Sequence, residues 1–293
     1  MMNQSAITLV NPQNGSLAFK LFSFEGGAAF DQVQRLPYYS LIWVQQGSGK
    51  AKVDFSEFDF VENTLFSFVP YQPFMFSPKD GMSGMVLNFH PDFFCIHKHH
   101  KEVACHGVLF NNIYHPPFIS VDPTASNTFS TLIEQMKVEM QNPDLAQYEL
   151  LVSYLKIFLI TAVRLKTAQQ PQAKQAVENI QEPFILQTLK DTIEKDFKTK
   201  HSASEYADAL NISAKALAKI TKTYFNKTLT ELIAERIIIE AKRELYLTSK
   251  SVKQIAYELG YKDEYYFSRF FKTNADVSPL LYRETVGFAR GEV

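Results

Sequence analysis

The residues best equipped for chemistry are crowded into one short run. Five of the seven histidines and both cysteines lie in it: His90, Cys95, His97, His99, His100, Cys105 and His106. Thiolates and imidazoles are the ligands zinc takes, and an accessible thiolate is also a redox centre. The spacing Cys95-x-His97 with Cys105-His106 matches no standard zinc pattern. The run follows Pro91-Asp92-Phe93-Phe94 and reads as a polar surface segment in a loop or short helix, so no metal and no cofactor is assigned. A second kind of chemistry, recognition of a polyanion, needs clustered Lys and Arg. The whole chain, 293 residues with a net charge of -1, argues against it as an average. The halves differ, however. Residues 1–180 hold 12 Lys/Arg against 15 Asp/Glu, and residues 181–293 hold 18 against 16. The second half is mildly basic, which permits a nucleic-acid partner without demanding one.

The elements that must hold these groups also divide. Of 25 Phe, 16 precede Val121. There, Ser40 to Gln46, Ala51 to Phe55, Thr64 to Val69, Phe74 to Ser77 and Gly84 to Phe89 read as strands, rich in β-branched and aromatic residues. Gly47-Ser48-Gly49, Pro78-Lys79-Asp80-Gly81 and Pro116-Pro117 read as turns between them. Many short strands predict a β-sandwich or barrel. From about Thr124 the apolar period becomes helical, through Leu132, Met136 and Met140, and then Leu151, Leu155, Phe158, Ala162 and Leu165. The Gln- and Ala-rich stretch 169–182 reads as a linker, and consecutive short helices follow from about Pro183. Apolar residues at 46% and charged residues at 21% exclude a disordered or fibrous chain. Two cysteines suit a reducing compartment. The polar stretch Met1 to Gly15 lacks the pattern of a signal peptide, and the apolar run Ile157 to Val163 is far too short to span a bilayer. The expected location is the cytoplasm.

The second half contains a repeat. Tyr206-Ala207-Asp208-Ala209-Leu210-Asn211-Ile212 matches Ile255-Ala256-Tyr257-Glu258-Leu259-Gly260-Tyr261. Further on, Leu217 matches Phe267 and Lys222 matches Lys272. A small Ala in the first helix of each copy allows a close crossing. Asn211 or Gly260 tolerates the positive φ of a tight exit, and Ser213 or Asp263 can cap the helix that follows. Each copy therefore reads as a helix-turn-helix, with the long helix Thr230 to Leu247 between them.

The stretch Ser251-Val252-Lys253-Gln254-Ile255-Ala256-Tyr257-Glu258-Leu259-Gly260-Tyr261, with Tyr266-Phe267-Ser268-Arg269-Phe270-Phe271-Lys272 and Ser278-Pro279-x-x-Tyr282-Arg283, resembles the signature of the AraC family of bacterial transcription regulators. The resemblance covers about 100 residues, Pro183 to Gly287. Two turns depart from it. Asp276 stands where the family commonly has Gly, and Asn226-Lys227-Thr228-Leu229 where Gly-x-Thr-Pro is usual. The resemblance implies double-stranded DNA as partner, read by the second helix of each copy. Lys215, Ala218 and Lys219 would read in the first copy, and Glu264, Tyr265 and Arg269 in the second. Arg269 or Lys219 suits guanine O6/N7, Glu264 cytosine N4, and Ala218 a thymine methyl. Lys222 and Lys272 are expected on phosphates, and of Tyr265 and Tyr266 one is a candidate for the core.

The resemblance also implies a cupin-like effector-binding barrel before the reader, with Phe68-Val69-Pro70-Tyr71-Gln72-Pro73 where relatives often show Pro-Gly-x-x-His. Residues 37–76 contain no His, so the usual cupin metal seat is missing and an enzyme is not expected. Tyr39, Trp43, Gln46, Phe74 and Phe76 are the candidate effector contacts, and the barrel is expected either to hold a small molecule or to be filled by its own side chains. The expected layout is a multidomain chain. It has a cupin-like, mainly β barrel over 1–122, a helical hairpin for dimerisation over 123–168, a linker over 169–182 and an all-α reader with two helix-turn-helix motifs over 183–290. It acts as a regulator, expected to be an activator that meets RNA polymerase, as a homodimer and without a membrane partner.

Overall fold

The computed structural model describes residues 6–11, 15–27, 29–54, 56–96, 99, 108–169 and 184–286. Its compact units are Met1–Asn112 with Pro116–Gln170, and Ile113–His115 with Pro171–Val293. Among the described residues the first holds seven antiparallel strands: β1 (Ile7–Val10), β2 (Leu17–Glu25), β3 (Tyr39–Val53), β4 (Ser56–Phe60), β5 (Thr64–Phe68), β6 (Phe74–Phe89) and β7 (Phe118–Ser120). They run in the order β1-β2-β6-β3-β5-β7, with β4 on the far end of β3. The helices α1 (Pro123–Gln141) and α2 (Gln147–Gln169) follow the strands.

Two expected turns are not turns. Gly47-Ser48-Gly49 lies inside β3 and Pro78-Lys79-Asp80-Gly81 inside β6, so four expected strands are parts of two long ones. The reason is steric. A Cβ at Gly47 or Gly49 would run into the backbone of β6, at Gly81 O and Ser77 O, so glycine lets the two strands stay paired through a sharp bend. The register slips at Val44/Gln46 and at Gly47/Gly49, the bulges that curl a sheet into a barrel.

Both faces of the curled sheet are apolar. Even-numbered positions, among them Phe24, Ile42, Val44, Phe66, Phe68, Phe74, Phe76 and Val86, fill the interior. Odd-numbered Phe19, Leu21, Tyr39, Leu41, Trp43, Leu65, Leu87 and Phe89 face outward and are covered by α1 and α2 through Phe129, Leu132, Met136, Leu151, Leu155 and Phe158. The outward face alone takes both helices' apolar stripes out of water, at roughly 25 cal/mol per Å². Lys166, near the end of α2, is drawn into this unit and donates to Pro116 O at 2.9 Å. Burial lowers its ammonium to about 8.

The second unit is helical: α3 (Phe184–Asp196), α4 (Ala203–Ala209), α5 (Ala214–Phe225), α6 (Leu229–Leu247), α7 (Val252–Glu258), α8 (Glu264–Ala275) and α9 (Pro279–Val286). No helix among the described residues is long and apolar enough to cross a membrane. Of the expected linker, 170–182 lies outside the described residues, as do 183 and 287–290 of the expected reader.

Candidate nucleic-acid interface

The interface is built from two copies of one local device. Ser202 and Ser251 open α4 and α7 with reciprocal capping boxes, to Glu205 and Gln254. Each short helix then ends the same way. Asn211 (φ 53°) and Gly260 (φ 83°) enter the left-handed region. Ile212 N donates to Ala207 O at 3.1 Å and Tyr261 N to Ala256 O at 2.9 Å, closing the chain back on the helix. Ser213 then accepts from Ala216 N, and Asp263 from Tyr266 N, to start α5 and α8. The alanines Ala207 and Ala256 are buried at the crossing.

The two family departures fall at left-handed positions. Asn226 (φ 55°) ends α5 and Asp276 (φ 59°) ends α8. After Gly, Asn and Asp are the residues that best tolerate that conformation, so both helices stop where the family pattern stops them. Between the copies, α6 buries Leu232, Ile233, Ile237, Ala241 and Leu245 and sets their spacing. Its polar anchor is Glu240, buried and reached by Arg236 at 3.3 Å, Arg243 at 3.1 Å and Lys198 at 3.6 Å. Burial pushes the Glu240 carboxyl up, but the three cations outweigh it and hold it below its ordinary value. Arg283, quoted above only as part of the family signature, closes the end of α6. It donates to Leu245 O at 3.0 Å and Lys250 O at 2.7 Å.

The second helices bury one stripe each, Leu217 and Thr221 in α5, Phe267 and Phe271 in α8. The opposite faces are open. Lys215, Ala218, Lys219 and Lys222 are exposed along α5, and Tyr265, Arg269 and Lys272 along α8, with Glu264 half-buried. Lys222 also donates to Asn226 O at 3.3 Å, helping to close its own helix. Neither Tyr265 nor Tyr266 is core, at 72% and 59% exposed. The core aromatic is Tyr261, packed on Phe267 and Phe270 at 5.3 Å each and on His201 at 4.8 Å. Tyr266 thus joins the open face of α8. Its place three residues after the N-cap Asp263, off the stripe of Phe267 and Phe271, was the sequence signal for it.

The five candidate effector residues do not come together. Phe74 and Phe76 belong to the interior core. Tyr39 and Trp43 lie on the other side of the sheet, Tyr39 stacked on Phe89 at 5.1 Å and Trp43 edge-on to Phe129 at 5.9 Å. Gln46 is exposed beyond the bulge, beside Ser83. Strand alternation is the cause, since odd and even positions cannot share a pocket. Of the His/Cys run, His97, His100, Cys105 and His106 lie outside the described residues. Among the described residues, no three His, Cys, Asp or Glu side chains gather as a metal site. His90 Nδ1 accepts from Asp92 N at 3.2 Å, and His99 stacks on Phe94.

Residues 206–285 match the family model described as a helix-turn-helix domain. The chain is 28% identical over 140 residues to the raffinose operon transcriptional regulatory protein RafR of Pediococcus pentosaceus, covering 48% of this chain and 46% of RafR. It is 34% identical over 84 residues to the HTH-type transcriptional activator Btr of Bacillus subtilis, covering 29% and 16%. The match thus spans less than half the length of these two relatives. With the regulatory protein SoxS of Salmonella typhimurium it shares 31% identity over 99 residues, 34% of this chain and 92% of SoxS. A helix-turn-helix pair whose caps, turns and buried stripes repeat in register, matched over nearly the whole of SoxS, places the chain in the AraC family of transcription regulators.

Proposed function

We propose that the chain is a sequence-specific DNA-binding activator of transcription, controlled by a small molecule bound in its barrel. The observation that carries the reading is the pair of open helix faces, each presented by the same cap and turn. In this reading Lys215, Ala218 and Lys219 read one major-groove segment and Glu264, Tyr265 and Arg269 the next, about one helical turn (roughly 34 Å) away. Lys222 and Lys272 meet phosphates and fix the register. RNA polymerase is the partner in activation, the cytoplasm the compartment, and no catalysis is involved. The functional layout is a sensor over 1–122, a dimerising hairpin over 123–168, a linker over 169–182 and a reader over 183–290.

A homodimer fits the hairpin's outer face. Val138 and Ile157 are exposed on the hairpin, and Val138 lines a shallow groove of about 540 Å³ with Glu134, Glu139 and Tyr154. Sedimentation of wild type and Ile157→Glu tests it, with a dimer expected for the first and a monomer for the second. The DNA reading is tested by selecting bound sequences from a random duplex pool. Enrichment of one bipartite sequence supports it, and unselective, salt-labile binding refutes it.

A second reading is favoured by one observation, the aromatic packing of the barrel interior. Phe68 stacks on Phe74 at 4.0 Å and Phe66 meets Phe76 at 4.8 Å. A barrel filled in this way suits a regulator that needs no ligand. In that case no compound shifts its melting or its DNA affinity.

A further inference from the structure

Ser56 and Thr64 are isolated buried polar side chains on the interior face, whereas another row of the sheet places several polar side chains side by side. Lys20 on β2 pairs with Asn88 on β6, Asn88 with Ser40 on β3, and Ser40 with Phe68 on β5. All four are even-numbered, on the same face as Val86, Ile42 and Phe66 of the neighbouring row, so they point into the barrel. Ser40 is 1% exposed and Asn88 5% exposed. Ser40 Oγ and Asn88 Oδ1 are nevertheless without a hydrogen-bond partner among the described residues. Cross-strand neighbours of this kind could satisfy each other, and here they do not. Lys20, half-buried at the end of the row, holds its ammonium 4.9 Å from the centre of the Phe22 ring and has no carboxylate partner among the described residues.

Two buried polar atoms left unpaired cost stability, and natural folds keep such groups where something else pairs with them. We propose that the Lys20–Asn88–Ser40 row is the effector-contacting end of the barrel, and that its ligand is a small hydroxylated organic anion. This rests on the reading of the barrel as an effector domain and replaces the scattered set Tyr39, Trp43, Gln46, Phe74 and Phe76. The chemistry sets the class. Asn88 Oδ1 only accepts, so the ligand must bring a donor such as a hydroxyl. Ser40 Oγ completes the contact from the next strand. Lys20 supplies an unpaired cation over an aromatic ring, which a carboxylate answers with a charge-assisted hydrogen bond. Phe68 and Phe22 provide apolar walls for the carbon skeleton.

Trp43 is the sole tryptophan, and it sits in this sheet, so its fluorescence reports on the first unit within the full-length chain. Thermal melts followed by Trp43 compare wild type with Ser40→Ala, Asn88→Leu and Lys20→Met, each without additive and with gluconate, glucuronate, lactate, glucose or butyrate. Without additive, Ser40→Ala and Asn88→Leu should melt at or above wild type, because they remove groups kept for a ligand. One or more of the hydroxy acids should stabilise wild type, with glucose and butyrate weaker. Lys20→Met should weaken that hydroxy acid roughly tenfold or more. The proposal is overturned if Ser40→Ala and Asn88→Leu both melt lower, the sign of a structural pair held by water. It is also overturned if none of the hydroxy acids stabilises wild type, or if Lys20→Met binds them equally well. The same variants separate the site from the reading beneath it. If a compound alters DNA retention equally in wild type and Asn88→Leu, effector control stands and this site falls. If the wild type selects no DNA sequence, the regulator reading itself falls.

Discussion

The two helix-turn-helix heads share a frame and differ in what fills it. In α4–α5 the buried positions are Tyr206, Ala207, Leu217 and Thr221, and in α7–α8 they are Ile255, Ala256, Phe267, Phe271 and Ala275. The second head carries a chain of aromatic contacts, Tyr261–Phe267, Phe267–Phe271 and Phe271–Tyr282, that ties it to α9. At the matching place the first head has Thr221, whose hydroxyl turns back to Ala218 O at 3.1 Å. The open faces differ as well, since α5 offers lysines around Ala218 while α8 offers Tyr265, Tyr266 and Arg269. A duplicated frame can therefore be filled with aromatic rings in one copy and with smaller side chains in the other, with different side chains on the open faces.

The largest difference between the heads is expected in the cores. Phe271→Ala should cost about 3–5 kcal/mol, while Thr221→Ala, which removes one methyl and a hydroxyl bonded within its own helix, should cost about 1–2 kcal/mol. Denaturant unfolding followed by helical circular dichroism measures both, and equal losses would mean that the two cores are not differently built. The turns come next. Gly260 is left-handed, and a Cβ there would strike Lys198 O, so Gly260→Ala should cost roughly 1–3 kcal/mol. Asn211→Gly, in the same conformation, should change stability by only a few tenths of a kcal/mol. Smaller still is the effect on fold of the reading residues. Arg269→Ala should leave the melting curve in place yet lose about 1–3 kcal/mol of discrimination at one base pair of the second segment, with Lys219→Ala doing so in the first. Lys272→Ala should instead weaken all sequences and lower the salt slope by about one charge.

The smallest expected effect is a pH effect on the element the heads share. The folded carboxyl of Glu240 titrates below its unfolded value. Its contribution is therefore present above the unfolded value near 4.5 and is lost as pH falls through the lowered folded one. Acid melts should show wild type losing more stability than Glu240→Gln over that window, with both heads affected because α6 serves both. An identical acid response would remove Glu240 from the account of α6.

Much of the reader was legible in the sequence because its signals are local. Ser213, Asp263, Asn211 and Gly260 each show in the neighbouring sequence as a cap or a left-handed turn, and the repeat offset carries them into register. The barrel was less legible because its signals depend on partners. Gly47 and Gly49 look like turn residues until β6 is laid across them. Alternation, which separates core from solvent in a one-sided sheet, fails here because α1 and α2 cover the outer face. Trp43 and Ile42 are both buried, so nothing in the sequence said which one faced the interior. The expected pocket mixed the two sides for that reason. Ser40 and Asn88 drew no attention, since their pairing across β3 and β6 is a matter of register.

Selection of bound sequences with wild type, Lys219→Ala and Arg269→Ala in parallel decides whether the two heads read two adjacent segments. The expected result is two conserved blocks spaced by about one helical turn. Lys219→Ala should degrade one block only and Arg269→Ala the other only. A single block, or both variants degrading the same positions, would contradict it.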